Sequence, residues 1–228
     1  HCPVLALVPQ LDQDQFLDTL SAGSDMYLAK GCTTAQEGWV ADPNWFPLMG
    51  EALKRRTLKL RLVLYPLGQD ISLEEYGRVF PDVPSGTPLD EEGKLVMGAT
   101  KLSADGSIQA YTGFLSQPYH KTPEGKPGYV GYPSNDLEWL RQRIIDLHSN
   151  GRQIAVHCNG DAAIDVALDA YEEAQRQSPR DDTRFIVIHS QMARSDQIER
   201  MSRLEAIPSF FITHTYFWGD RHYAIFMG

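Results

Sequence analysis

The sequence predicts an α/β fold, a (β/α)8 barrel of the TIM type, on three observations. Short β-rich runs alternate with longer helical patterns, as β–α–β units and a parallel sheet require. No G-x-G-x-x-G follows any strand run, which disfavours the doubly wound dinucleotide-binding alternative. The chain has 228 residues, enough for one large domain or for most of a barrel, whose usual size is about 250 residues.

In chain order, a helical pattern over 13–30 carries Phe16, Leu17, Leu20 and Tyr27 on one face and stops before Gly31. A strand is expected at 32–36, a helix at 45–56, and a Leu- and Val-rich strand at 60–65. The segment 70–93 is rich in Pro, Gly and acidic residues and reads as irregular; it precedes a strand at 94–102. A second irregular stretch, 114–133, also follows a strand, where barrels place their active-site loops. Ser134 is the expected N-cap of a helix reaching Asn150, with Leu137, Leu140, Ile144, Ile145 and Leu147 on its buried face and Gly151 as the stop. Strands at 153–157, 185–189 and 207–213 and helices at 162–176 and 195–204 complete the pattern.

Composition narrows the function. With 21 basic against 30 acidic residues, a net charge of -9 and no basic cluster, neither nucleic acid nor an anionic membrane surface is an expected partner. The three cysteines, Cys2, Cys32 and Cys158, include no C-x-x-C pair and read as reduced thiols. No apolar run approaches the roughly 20 residues of a membrane helix, so the expected setting is the cytoplasm.

Three polar residues stand where apolar strand runs give way to loops: Lys101 in ATKLSADGS, His157 in IAVHCNGD and His189 in FIVIHSQ. In a barrel such strand ends converge on one rim, and a polar residue deep in a strand is costly unless paired. Two imidazoles from neighbouring strands can present neutral nitrogens to one divalent cation, and zinc suits such ligands. Taken alone, a strand-end His is more often a hydrogen-bonding residue, and Lys101 alone is a solvated charge or a Schiff-base candidate.

The phrases KLSADGSIQA, AVHCNGDAAIDVALDAYEEA, VIHSQMARSDQIERMSRLEAIPSF and THTYFWGDRH, with GCTTAQEG nearer the start, resemble successive landmarks of the amidohydrolase superfamily. The likeness is to amidohydrolase family 3, the YtcJ-like and N-substituted formamide deformylase-like branch, in the correct order from about Leu28 to His222. The resemblance implies that Lys101 matches the fourth-strand Lys, carboxylated in the family to bridge metals, and that His157 and His189 match the fifth- and sixth-strand ligands. It implies hydrolysis of C–N bonds in small amide or N-acyl substrates by metal-activated hydroxide. Asp105 and Asp161 would then orient ligands from behind, and His214, Tyr216, Trp218 and Asp220 would contact substrate; the alternative for Asp161 is a helix-capping role. Gln36, Glu37 and Trp39 are expected in packing, His222 in solvent, and His148 as a cation favoured at a helix C-terminus.

The family's first-strand H-x-H pair has no match, since His1 is followed by Cys2 and Pro3, and its last-strand Asp has none before Gly228. The expectation is a central fragment, 1–228, holding strands two to seven of a partial catalytic barrel. Its open edges predict association, with absent segments or as a homo-oligomer. Two rival readings stand beside the hydrolase: a Schiff-base lyase or aldolase using Lys101, and a non-catalytic incomplete domain.

Overall fold

The computed structural model describes residues 11–69 and 71–228. The first-strand comparison at His1 and the Cys2 thiol lie outside the described residues. The described residues form an α/β fold of seven parallel strands in two sheets, and they fall into two compact units.

The first unit comprises the residues up to Pro66 together with 86–98. Helix α1 (Gln13–Leu28) begins with a capping box in which Asp12 and Gln15 satisfy each other's backbone amides. The chain leaves it through Gly31 at φ 79°, a left-handed position where glycine carries no Cβ penalty. Strands β1 (Thr34–Val40), β2 (Arg61–Pro66) and β3 (Leu95–Met97) pair in that order, and α2 (Trp45–Lys54) lies between β1 and β2 in the chain.

The second unit, 67–85 and 99–228, carries the sheet that matters for chemistry. Helix α3 (Leu73–Val79) precedes it; strands β4 (Thr100–Ser103), β5 (Ile154–Cys158), β6 (Ile186–His189) and β7 (Ile207–Phe210) pair in sequence order. Helices α4 (Leu137–Ser149), α5 (Asp161–Gln177) and α6 (Ser195–Arg203) fall between consecutive strands, and α7 (Thr213–Arg221) follows the last. Leu102, Val156, Cys158 and Val187 share one face of this sheet and are fully buried in a core with Leu140, Ile144, Ile164 and Leu168. Tyr171 stacks on Phe185 within that core, ring centroids 4.3 Å apart and nearly parallel.

Several expectations need correction. The expected strand 94–102 is two strands, β3 and β4, split at Gly98 and Ala99. A Cβ on Gly98 would stand 2.1 Å from the Tyr65 ring, so only glycine lets the chain cross there. The segment 70–93 is not wholly irregular: Ser72 caps α3 by accepting a hydrogen bond from the Glu75 amide, a start signal masked by the surrounding Pro and Gly. Asp136, not Ser134, caps α4, accepting from the Trp139 amide at 2.9 Å. The expected strand 207–213 ends at Phe210, and the T-H-T-Y-F-W stretch coils into α7. His148 is 1% exposed and its pKa is held down by burial, so it is a neutral core histidine bonded to the Ser178 carbonyl, not a cation.

Phe185→Ala would remove a fully buried ring from the Tyr171 stack. A loss of about 3–5 kcal/mol in unfolding free energy is expected by urea denaturation, and a loss under about 1 kcal/mol would contradict this packing.

Candidate active site

Strand alternation sorts the β4–β6 side chains between two faces. Ser103 pairs with His157, and Lys101 stands two residues before Ser103, so Lys101 and His157 share the face opposite the helix-covered core. By register His189 pairs with Cys158, whose thiol lies in that core. A regular strand conformation would therefore bury the His189 ring among apolar side chains. Instead His189 has φ 70° and Ser190 φ 46°, both left-handed, a conformation that costs of order 1–3 kcal/mol per non-glycine residue. Its effect is to re-aim the ring: His189 and His157 meet edge to face with centroids 4.7 Å apart. The buried Ser190 hydroxyl fastens the turn by donating to the Val187 carbonyl at 3.0 Å.

Electrostatics prepare these groups for ligation or nucleophilic chemistry. Burial, then His157, His214 and Lys101, lower the His189 pKa to about 3, so its imidazole is neutral at pH 7. Burial lowers the Lys101 pKa to about 8 against the opposing pull of Cys158 and Asp105, leaving an appreciable neutral fraction of the amine. Burial pushes the Cys158 thiol well above its ordinary value, which keeps it protonated and inert.

Asp105, 1% exposed, organises the loops around His157. Its carboxylate accepts backbone amides from Phe114 (2.9 Å), Asn159 (2.9 Å) and Gly160 (2.7 Å), and its Oδ1 lies 3.3 Å from His157 Nδ1. The glycines of A-D-G-S and C-N-G-D make this approach possible: a Cβ on Gly106 would strike Thr112, and one on Gly160 would sit 1.8 Å from the Phe114 carbonyl oxygen. Asn159, which sequence reasoning missed, bonds the Gly106 carbonyl at 2.8 Å through Nδ2, and the same amide nitrogen stands 3.3 Å from His157 Nε2. Its signal was the pairing of N-G-D with A-D-G, legible only once the two loops are known to touch.

A family model described as the amidohydrolase family matches residues 1–227. The chain belongs to the amidohydrolase family. It is 33% identical over 107 residues to YtcJ of Bacillus subtilis (strain 168), covering 47% of this chain and 19% of that protein. It is 29% identical over 198 residues to the N-substituted formamide deformylase of Arthrobacter pascens, covering 85% of this chain and 34% of that one. An uncharacterized metal-dependent hydrolase from Pyrococcus furiosus shares the fold at a TM-score of 0.74 with 23% identity, over 96% of this chain and 43% of that chain. The amidohydrolase chain thus spans between about a fifth and under a half of the proteins it matches.

A cleft of about 330 Å³ opens beside His189, lined also by Gln191, Phe210, Phe211, His214 and His222. The His214 ring lies 5.6 Å from that of His189, and burial, then His222 and His157, keep it neutral. Tyr216, 85% exposed, Trp218, half-buried under the Arg221 guanidinium, and Asp220, exposed, lie elsewhere on α7. A strand would have put 214, 216 and 218 on one face, but on a helix residue 216 turns about 200° from residue 214. His222, expected in solvent, is half-buried in the cleft wall.

The imidazoles of His157 and His189 are the donors that suit a divalent cation here. Nδ1 of His189 is buried without a hydrogen bond, as a ligand nitrogen awaiting a partner is. Among the described residues no three His, Cys, Asp or Glu side chains gather closely enough to hold a metal, and the Lys101 amine could serve as an anionic oxygen donor only as a carbamate. Among the described residues no helix is long and apolar enough to cross a membrane.

Asp161 is the first residue of α5, and its hydrogen bonds go to the Ser116 amide at 2.9 Å, the Ser116 hydroxyl, and Arg194 at 2.9 Å. Burial opposes its ionisation, but Ser116 and Arg194 outweigh that and hold the carboxyl below its ordinary value. A depressed carboxylate pKa contributes stability that is complete above the unfolded value of about 3.9 and is lost as pH falls through the folded value. Asp161→Asn is therefore expected to cost about 2 kcal/mol at pH 7 and markedly less near pH 3, read by urea unfolding at both; an equal cost at both would contradict the assignment.

Proposed function

We propose that the full-length protein is a hydrolase cleaving the C–N bond of a small amide or N-acyl compound, with a divalent cation, zinc, held by Lys101, His157 and His189. The observation that carries this reading is the left-handed turn at His189, which turns that ring out of the apolar core to meet His157. Strained backbone that serves no packing need is a signature of function. Lys101 joins the set when its neutral amine adds to carbon dioxide, forming an N–C bond and releasing a proton, so that a cation becomes an anionic oxygen donor. When bound, the cation supplies a Lewis acid that makes water acidic enough to attack a carbonyl near neutral pH.

The protein's own residues do the rest. Asp105 stands 3.3 Å from His157 Nδ1 while its backbone hydrogen bonds hold the carboxylate still, which favours the tautomer with the proton facing Asp105. His214, on the far side of His189, offers substrate an uncharged hydrogen-bonding ring. Asp161 ties Ser116 to Arg194 and so fixes the loop after β4 against the starts of α5 and α6.

In the full-length protein, Lys101→Ala, His157→Ala and His189→Ala are each expected to lower bound metal and to cut amide hydrolysis by on the order of 100-fold or more, since even supporting residues cost about 10–100-fold. A triple-site variant that kept its metal and its rate would sink the proposal. The lowered Lys101 pKa also favours a second reading, a Schiff-base enzyme. Borohydride with a carbonyl substrate would label Lys101 in that case and leave the hydrolase unmodified.

A further inference from the structure

Helix α7 walls the cleft beside His189 without being packed into the protein. His214, Thr215 and Gly219 line that cleft, yet no residue from Thr213 to Arg221 is buried, and Tyr216 and Phe217 are exposed. Its 9 residues are fewer than the roughly 12–15 that an isolated helix needs to persist in water. The placement of α7 is therefore set by what holds its two ends. On the β7 side the connection runs through Phe211 and Ile212, both exposed, which gives a pivot rather than a clamp.

The other end is clamped. The chain continues as a π-helical stretch, His222–Met227, a geometry that is rare and concentrates at functional sites. Phe226 from this stretch is buried in a small core with Ile108, Leu115 and Tyr119. Its ring lies 5.0 Å from that of Tyr111 and 6.4 Å from that of Tyr119, edge to face with both. The seat has hydrogen bonds of its own: the Tyr119 hydroxyl donates to the Gly113 carbonyl at 2.9 Å, and the Tyr129 hydroxyl to the Tyr111 carbonyl at 2.8 Å. Around it the His120 and Lys121 amides donate to the Phe226 and Ile225 carbonyls, and His222 Nε2 stands 3.1 Å from Gln191 Nε2.

From this asymmetry we infer that α7 is a lid over the cleft, pivoting at 211–212 and held shut by a latch, the Phe226 ring in its tyrosine seat. Unseating that ring releases His214 and His222 from the cleft together, because both ride on the segment between pivot and latch. That the lid admits substrate rests on the hydrolase reading; that it moves does not.

Amide hydrogen exchange of the full-length protein, read by mass spectrometry, tests the lid without metal, substrate or turnover. In the wild type, 213–221 is expected to exchange at least about 100-fold faster than the core helix α5, since local opening takes far less free energy than global unfolding. In Phe226→Ala, 213–221 is expected to exchange about tenfold faster again or more, the worth of one buried ring, with α5 unchanged. Carbethoxylation of His214 by diethyl pyrocarbonate is expected to rise in step. Phe226→Leu, which keeps an apolar side chain in the seat, is expected to fall between the two. Wild-type α7 as slow as α5, a Phe226→Ala variant whose α7 exchanges at the wild-type rate, or one whose α5 speeds up as much as its α7 would each overturn the inference, and the first of these needs no variant. A lid that opens on a protein without amide hydrolysis would remove the hydrolase reading and leave the lid standing.

Discussion

The left-handed backbone at His189 and Ser190 is the constraint on which the site depends. Strand register alone would place His189 beside Cys158, in the apolar layer under α4 and α5, where an imidazole could neither ligate nor titrate usefully. Reversing φ at the strand end moves the ring to the face that already carries Lys101 and His157, and the Ser190 hydroxyl, bonded to the Val187 carbonyl, holds it there. Strain of this kind persists only where its surroundings over-determine it. Here the turn has its own hydrogen bond, from the Ser190 hydroxyl to the Val187 carbonyl.

Asp105 plays the complementary part on the neighbouring strands. One buried carboxylate gathers three amides from two loops and faces a ring nitrogen of His157, so the rim of the sheet is built around a charge that the backbone itself neutralises. The two glycines beside it exist because the loops approach too closely for any Cβ. The short phrases A-D-G-S and C-N-G-D are therefore one structural unit split across the sequence, and their chemistry lies in the contact between them.

How much of this was legible in the sequence follows from the range of the interactions. The alternation of strands and helices, most of the apolar faces of α4 and α5, and the placement of His157 and His189 near strand ends arise from local periodicity and were readable, whereas Lys101 lies inside β4 rather than at its end and Tyr27 and Leu137 are exposed. Gly98 was not readable as a break, because the need for it comes from the Tyr65 ring on another strand. Tyr216, Trp218 and Asp220 lie outside the lining of the cleft because Thr, Tyr, Phe and Trp favour strands by composition, while the chain past Phe210 coils into α7. Asn159, Gln191 and His222 gave no signal because their roles exist only through partners far away in the chain. Membership of the amidohydrolase family adds the context in which a lysine beside two histidines becomes a ligand set.

The most direct measurement of this account is the backbone conformation of residue 189 in a crystal structure of the full-length protein. The account predicts a left-handed φ near the 70° found here, with the His189 ring still about 4.7 Å from that of His157. An extended residue 189 with its ring packed against Cys158 would contradict it.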